Sequence, residues 1–116
     1  MHEGPQNISG HPRKQPLLAG MVTSNEPGYY KTGEYGIRIE SLILTVEHGN
    51  TETGKPHYAF ETLTLVPFDL RLIEPTWLTE EERQWVNDYH QQVFDHLAPM
   101  LDTATASWLE RATKPI

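Results

Sequence analysis

Two glutamates flank a Gly- and Tyr-rich stretch, NEPGYYKTGEYGIRIES, at residues 25 to 41. Proline follows Glu26 and keeps it in extended backbone, because the residue before proline avoids the helical region. Glu40 closes an Ile-Arg-Ile run. If residues 21–30 and 36–46 pair antiparallel around the KTGE turn, with Gly33 at its centre, facing residues have numbers that sum to 66 and Glu26 faces Glu40. Their Cβ atoms then lie about 4.5–5.5 Å apart on one face. Carboxylates that close repel, and one takes up a proton unless a cation stands between them. A pair of divalent metals, about 3.5–4 Å apart in hydrolases, resolves that conflict. Parity puts Arg38 on the Glu40 face as well, where a guanidinium can orient a ligand carboxylate. Spacing alone leaves the ordinary alternative standing: an exposed hairpin whose acids face water.

The six histidines give no such pattern. His48 and His57 read as parts of a polar loop, and His90 and His96 are six apart on a helix, off one common face. None of them forms a ligand pair by spacing. His2 differs only in its neighbours, HEGP, whose Gly and Pro fix a tight backbone path. The absence of cysteine excludes disulfides, thiol nucleophiles and Cys-type zinc sites. A formal charge of −7 speaks against nucleic acid as a partner, since phosphate binding rests on excess Lys and Arg. No apolar run approaches the roughly 20 residues of a membrane helix. The first residues lack a basic-then-apolar leader pattern, so cytoplasm is the expected location.

The elements that must position these residues divide into strands first and helices last. Residues 1–20 are punctuated by Gly and Pro and read as loop. MVTSNE follows as a short extended segment, then GYYKTGEYG as a turn region, then IRIESLILTVE as one strand. HGNTETGKPH reads as a loop and AFETLTLVP as a third strand ending at Pro67. Thr79 with Glu82 forms a capping box before an amphipathic helix whose face carries Trp85, Tyr89, Val93 and Leu97. A shorter helix is predicted over roughly residues 103–112. The boundary falls at 70/71. Trp77, Trp85 and Trp108 all lie beyond it, where they either pack the helices or form an oligomer interface.

HEGPQNIS, LLAGMVTSNEPGYY, GIRIES and FETLTLVPFD occur in this order. Together they resemble the C-terminal part of the catalytic domain of aminopeptidase P, the Xaa-Pro aminopeptidase family. LTEEERQWVNDYH and WLERATKPI resemble the C-terminal extension of its larger, cytosolic-type members. The resemblance implies an α+β chain, the C-terminal portion of a pita-bread fold, with residues 1–70 in the catalytic domain and 71–116 in the helical extension. It implies that Glu26 is a metal ligand that also shuttles protons and that Glu40 bridges two divalent ions, typically Mn²⁺. His2 would contact the scissile peptide, while Arg38 and Tyr30 line or brace the site. The implied substrate is a peptide with proline at its second position, and the implied assembly is a homodimer of the full-length parent.

The same resemblance implies two aspartates and a histidine as further ligands, ahead of HEGP in the family's order. Asp69, Asp88, Asp95 and Asp102 follow the glutamates, in the wrong order to substitute. The chain is therefore expected to be a C-terminal fragment, inactive alone. A prolidase- or creatinase-type relative stays open beside this reading, as does a non-catalytic peptide-binding or assembly module of the same fold.

Overall fold

The computed structural model describes residues 4–11 and 14–116. Its contacts gather into two compact units, Met1–Thr64 and Leu65–Ile116. The first is built of five antiparallel strands: β1 (Val22–Asn25), β2 (Gly28–Lys31), β3 (Tyr35–Arg38), β4 (Ser41–Asn50) and β5 (Pro56–Thr62). They form a three-stranded sheet in the order β1-β4-β5 and a two-stranded ribbon, β2-β3. The described residues ahead of Met21 hold no helix or strand, as their glycines and prolines predict.

Three expectations change. GYYKTGEYG is not merely a turn but most of a hairpin, closed by Gly33 at φ +74°, a value that side chains rarely tolerate. The single strand expected over residues 37–47 is split into β3 and β4. Pro27 explains the split. Ile39 donates its N–H to the Pro27 carbonyl at 3.2 Å, but proline has no N–H to return, so two-way pairing lapses at that step. The register nevertheless persists: Tyr30 faces Gly36 on one side of the break and Val22 faces Leu44 on the other, both summing to 66. Finally, β5 starts at Pro56 and ends at Thr62, so the strand expected to reach Pro67 stops short and the loop before it shrinks to residues 51–55.

Residues 66 and 68 leave the sheet pattern because side chains of a helix take their backbone groups. In the second unit, α1 (Glu80–Leu97) presents Tyr89, whose hydroxyl accepts from the Val66 N–H at 3.2 Å and donates to the Val66 carbonyl at 2.9 Å. His90 Nε2 accepts from the Phe68 N–H at 2.9 Å. Buried backbone groups need partners, and these meet the need without a strand. Phe68 stacks on Tyr89 with ring centroids 4.7 Å apart, and Trp85 stacks on Tyr89 at 5.7 Å. Tyr89, Val93 and Leu109 form the buried cluster, packed against Leu65, Phe94 and Leu97.

The caps follow the sequence. Thr79 Oγ1 accepts from the Glu82 N–H at 3.2 Å, and Glu82 Oε2 accepts from the Thr79 N–H at 2.8 Å. The second helix, α2, spans Thr103–Ala112 and is started by Asp102, which accepts from the Ala104 and Thr105 amides. Trp85 is thus a packing residue in part, whereas Trp77 remains 86% exposed in this chain.

Burial pushes His90 below its ordinary value of 6.5. Because Nε2 accepts a hydrogen bond, the folded ring is neutral with its proton on Nδ1. The unfolded chain binds a proton more readily, so the contribution of neutral His90 is complete above about pH 6.5 and is lost as pH falls through that value toward the lower folded one. Urea melts of the chain between pH 7.5 and 5 should show the second unit weakening over that window. His90→Leu should flatten this dependence and cost roughly 1–3 kcal/mol at pH 7.5 by orphaning the Phe68 amide. A His90→Leu chain that keeps the full acid sensitivity would refute the assignment.

Candidate metal centre

In the register that sums to 66, even-numbered residues share one face: Ser24, Glu26, Tyr30, Arg38 and Glu40. Glu26 and Glu40 stand at the step where Pro27 interrupts the ladder. Arg38 lies between them. Its Nη1 is 2.5 Å from Glu26 Oε2 and 3.5 Å from Glu40 Oε2, so one guanidinium nitrogen serves both carboxylates. Ser24 Oγ donates to the other Glu26 oxygen at 2.9 Å. Sequence reading missed Ser24, although its position two residues before Glu26 on the same strand face was the signal for it.

Tyr30 holds the far side of Arg38. Its hydroxyl accepts from Arg38 Nε at 2.7 Å, and the guanidinium carbon lies 5.7 Å from its ring centroid. The Tyr30 contact is the first cause that raises Arg38 above its ordinary value, and the two glutamates add to it. The ring can reach there only because residues 28 and 36 are glycine. A Cβ on Gly36 would fall 2.6 Å from Tyr30 Cδ1, and one on Gly28 would fall 2.9 Å from Tyr30 Cε2. The aromatic ring thus covers the bare backbone of a two-stranded ribbon that is marginal by itself.

Hard carboxylate oxygens gathered around one cation are the donor chemistry of divalent sites. The present cation is a guanidinium, and the two glutamates fit as part of a metal centre. Among the described residues, no group of three His, Cys, Asp or Glu side chains is arranged to hold a metal ion. The four downstream aspartates are engaged elsewhere. Asp69 takes two side-chain hydrogen bonds from Arg71, which hold its carboxyl down at about 2. Asp88 accepts from Gln84 and Asp95 from Gln91, while Asp102 caps α2. His2, the remaining site residue expected from sequence, lies outside the described residues.

With that geometry in place, the comparisons with known proteins decide the family. Residues 1–47 match a model of metallopeptidase family M24, and residues 56–116 match one of the C-terminal region of peptidase M24. The chain belongs to the M24 metallopeptidases. A probable Xaa-Pro aminopeptidase P of Arthroderma otae is 44% identical over the whole chain, which covers 20% of that relative. Aminopeptidase P1 of Arabidopsis thaliana is 40% identical, again over the whole chain and 19% of the relative. The crystal structure of an X-prolyl aminopeptidase from Caenorhabditis elegans, described as a cytosolic enzyme with a di-nuclear active site, superposes with a TM-score of 0.84. It is 38% identical and covers 99% of this chain and 19% of its own. The fold of this M24 chain is therefore α+β, the C-terminal portion of a pita-bread fold. The chain spans about a fifth of the length of the curated relatives it matches.

The Tyr30 arrangement has a direct signature. The Gly36 α-protons should be shifted upfield by the Tyr30 ring current and should return to ordinary values in Tyr30→Ala. Gly36→Ala should displace the ring from Arg38, measured as loss of the Tyr30–Arg38 nuclear Overhauser effects. Unshifted Gly36 protons in the unsubstituted chain would rule this packing out.

Proposed function

We propose that this chain is part of an Xaa-Pro aminopeptidase, which removes the N-terminal residue of peptides whose second residue is proline. The observation that carries the reading is the convergence of Glu26 and Glu40 on a single cation, in a chain of this family. Glu26 and Glu40 would ligate two divalent ions, most consistent with Mn²⁺ for an all-oxygen pair. Bound there, the ions would supply Lewis acidity and lower the pKa of water. Glu26, held by Ser24 and Arg38, would take a proton from the nucleophile and pass it to the departing proline nitrogen. His2 would donate toward the carbonyl oxygen as negative charge develops on it. Tyr30 would hold Arg38 in place, and Arg38 would in turn position the two carboxylates.

Residues 71–116 would serve as the helical extension beyond a catalytic part that ends near residue 70, and the full-length protein would be a cytoplasmic homodimer. The exposed indoles of Trp77 and Trp108 support an assembly role for that extension. Relatives of the chain named for aminopeptidase P support the substrate class over a prolidase-type dipeptide.

The 116-residue chain holds the two glutamates of the family's ligand set, and it should cleave no Xaa-Pro peptide with or without Mn²⁺. Metal-dependent turnover by this chain alone would overturn the assignment of five ligands. Fused behind the upstream segment of the Arthroderma otae relative, it should complete an enzyme that releases the residue before proline. In that fusion Glu26→Gln should lower kcat by about 10²-fold or more, and Glu40→Gln should abolish Mn²⁺-dependent turnover. Equal rates on peptides without proline at the second position would defeat the substrate reading.

A further inference from the structure

His48 and His57, nine residues apart and separated by a polar loop, come together across the β4-β5 hairpin. Glu47 faces Tyr58, and continuing that register by one residue sets His48 opposite His57. The register shifts by one residue between Glu47 and Asn50, a stretch in which Gly49 takes φ +87°, before Asn50 pairs with Pro56. The imidazole centroids lie 5.6 Å apart with the rings at 79°. The loop beyond them is fixed by its own hydrogen bonds: Thr51 N–H to the Lys55 carbonyl at 2.8 Å, Gly54 N–H to the Thr51 carbonyl at 2.8 Å, and Lys55 N–H to Thr51 Oγ1 at 3.1 Å.

We propose that His48 and His57 form a two-imidazole site for a divalent cation of the Zn²⁺ or Cu²⁺ class. Two ring nitrogens each about 2.0–2.1 Å from one ion place the ring centroids about 5–6 Å apart, which matches the observed separation. Both side chains are exposed, which leaves the rings room to turn about χ2 and bring a nitrogen from each toward one ion. Water fills the remaining positions. Imidazole selects Zn²⁺, Cu²⁺ and Ni²⁺, whereas carboxylate oxygens suit Mg²⁺ and Mn²⁺, so this site and the glutamate pair choose different metals. From Glu40 to His48 is roughly 25 Å along the strand at about 3.3 Å per residue. The ion would therefore clip the hairpin tip without touching the glutamates.

The test is a Zn²⁺ titration of the 116-residue chain, followed by calorimetry and by the imidazole proton resonances, with Mn²⁺ as the contrasting probe. Zn²⁺ should move the His48 and His57 signals together while Mn²⁺ at the same concentration does not displace it. His57→Asn and His48→Asn should each weaken Zn²⁺ binding by at least about tenfold, because the second ligand acts at high effective concentration. His96→Asn should leave it unchanged. Circular dichroism checks each variant, and should one fail to fold, the resonances of the unsubstituted chain carry the test. Zn²⁺ affinity retained in both histidine variants, or shifts confined to other histidines, would overturn the proposal.

Discussion

Two carboxylates on facing strands stay close only if something positive lies between them and the strands hold their register. The candidate centre depends on both conditions. A slip of one residue would turn Glu26 to the opposite face from Arg38 and Glu40, because side chains alternate along a strand. Gly33 pins the register at the turn, and the Val22–Leu44 to Asn25–Ser41 pairs pin it at the other end. Pro27 removes one donor between these anchors yet leaves the count of residues unchanged. The result is a backbone loosened at the very step where the two glutamates stand, with no change in which residues face one another.

The second unit solves a different problem. The segment through residues 65–69 has no strand partner, so its amides and carbonyls would be orphaned against an apolar core. Tyr89 and His90, adjacent on α1, pair with the Val66 N–H and carbonyl and with the Phe68 N–H while their rings pack on Phe68. A neutral histidine suits this task because one ring nitrogen accepts. Apolar packing and polar satisfaction are thus performed by the same two side chains, which ties the core of the unit to the protonation state of one of them.

Much of this was legible in the sequence, and the failures have physical reasons. The helix α2 has the bounds its pattern predicts, the Thr79–Glu82 box closes as drawn, and the sum-66 register holds on both sides of Pro27. These are local or pairwise constraints, readable from turn chemistry and alternation. What escaped reading needed three-dimensional placement. That residues 66 and 68 bond to a helix rather than a strand depends on Tyr89 and His90 lying nearby, more than twenty residues away in sequence. The need for glycine at 28 and 36 comes from where the Tyr30 ring lies, which no propensity scale contains.

The histidines make the same point about metal sites. Ligand pairs on a helix announce themselves by a spacing of three or four, but across a hairpin the spacing depends on loop length and on any bulge between the ligands. For His48 and His57 both terms matter, since the register shifts between Glu47 and Asn50 and leaves an extra residue on one strand only. The strand β4 thereby joins two unlike ends. Near its start are carboxylates converging on a guanidinium, and near its finish are two facing imidazoles. Oxygen and imidazole donors so separated along one strand differ in the cations they favour, so if both proposed sites bind, place on the strand rather than intrinsic selectivity would tell one cation from another.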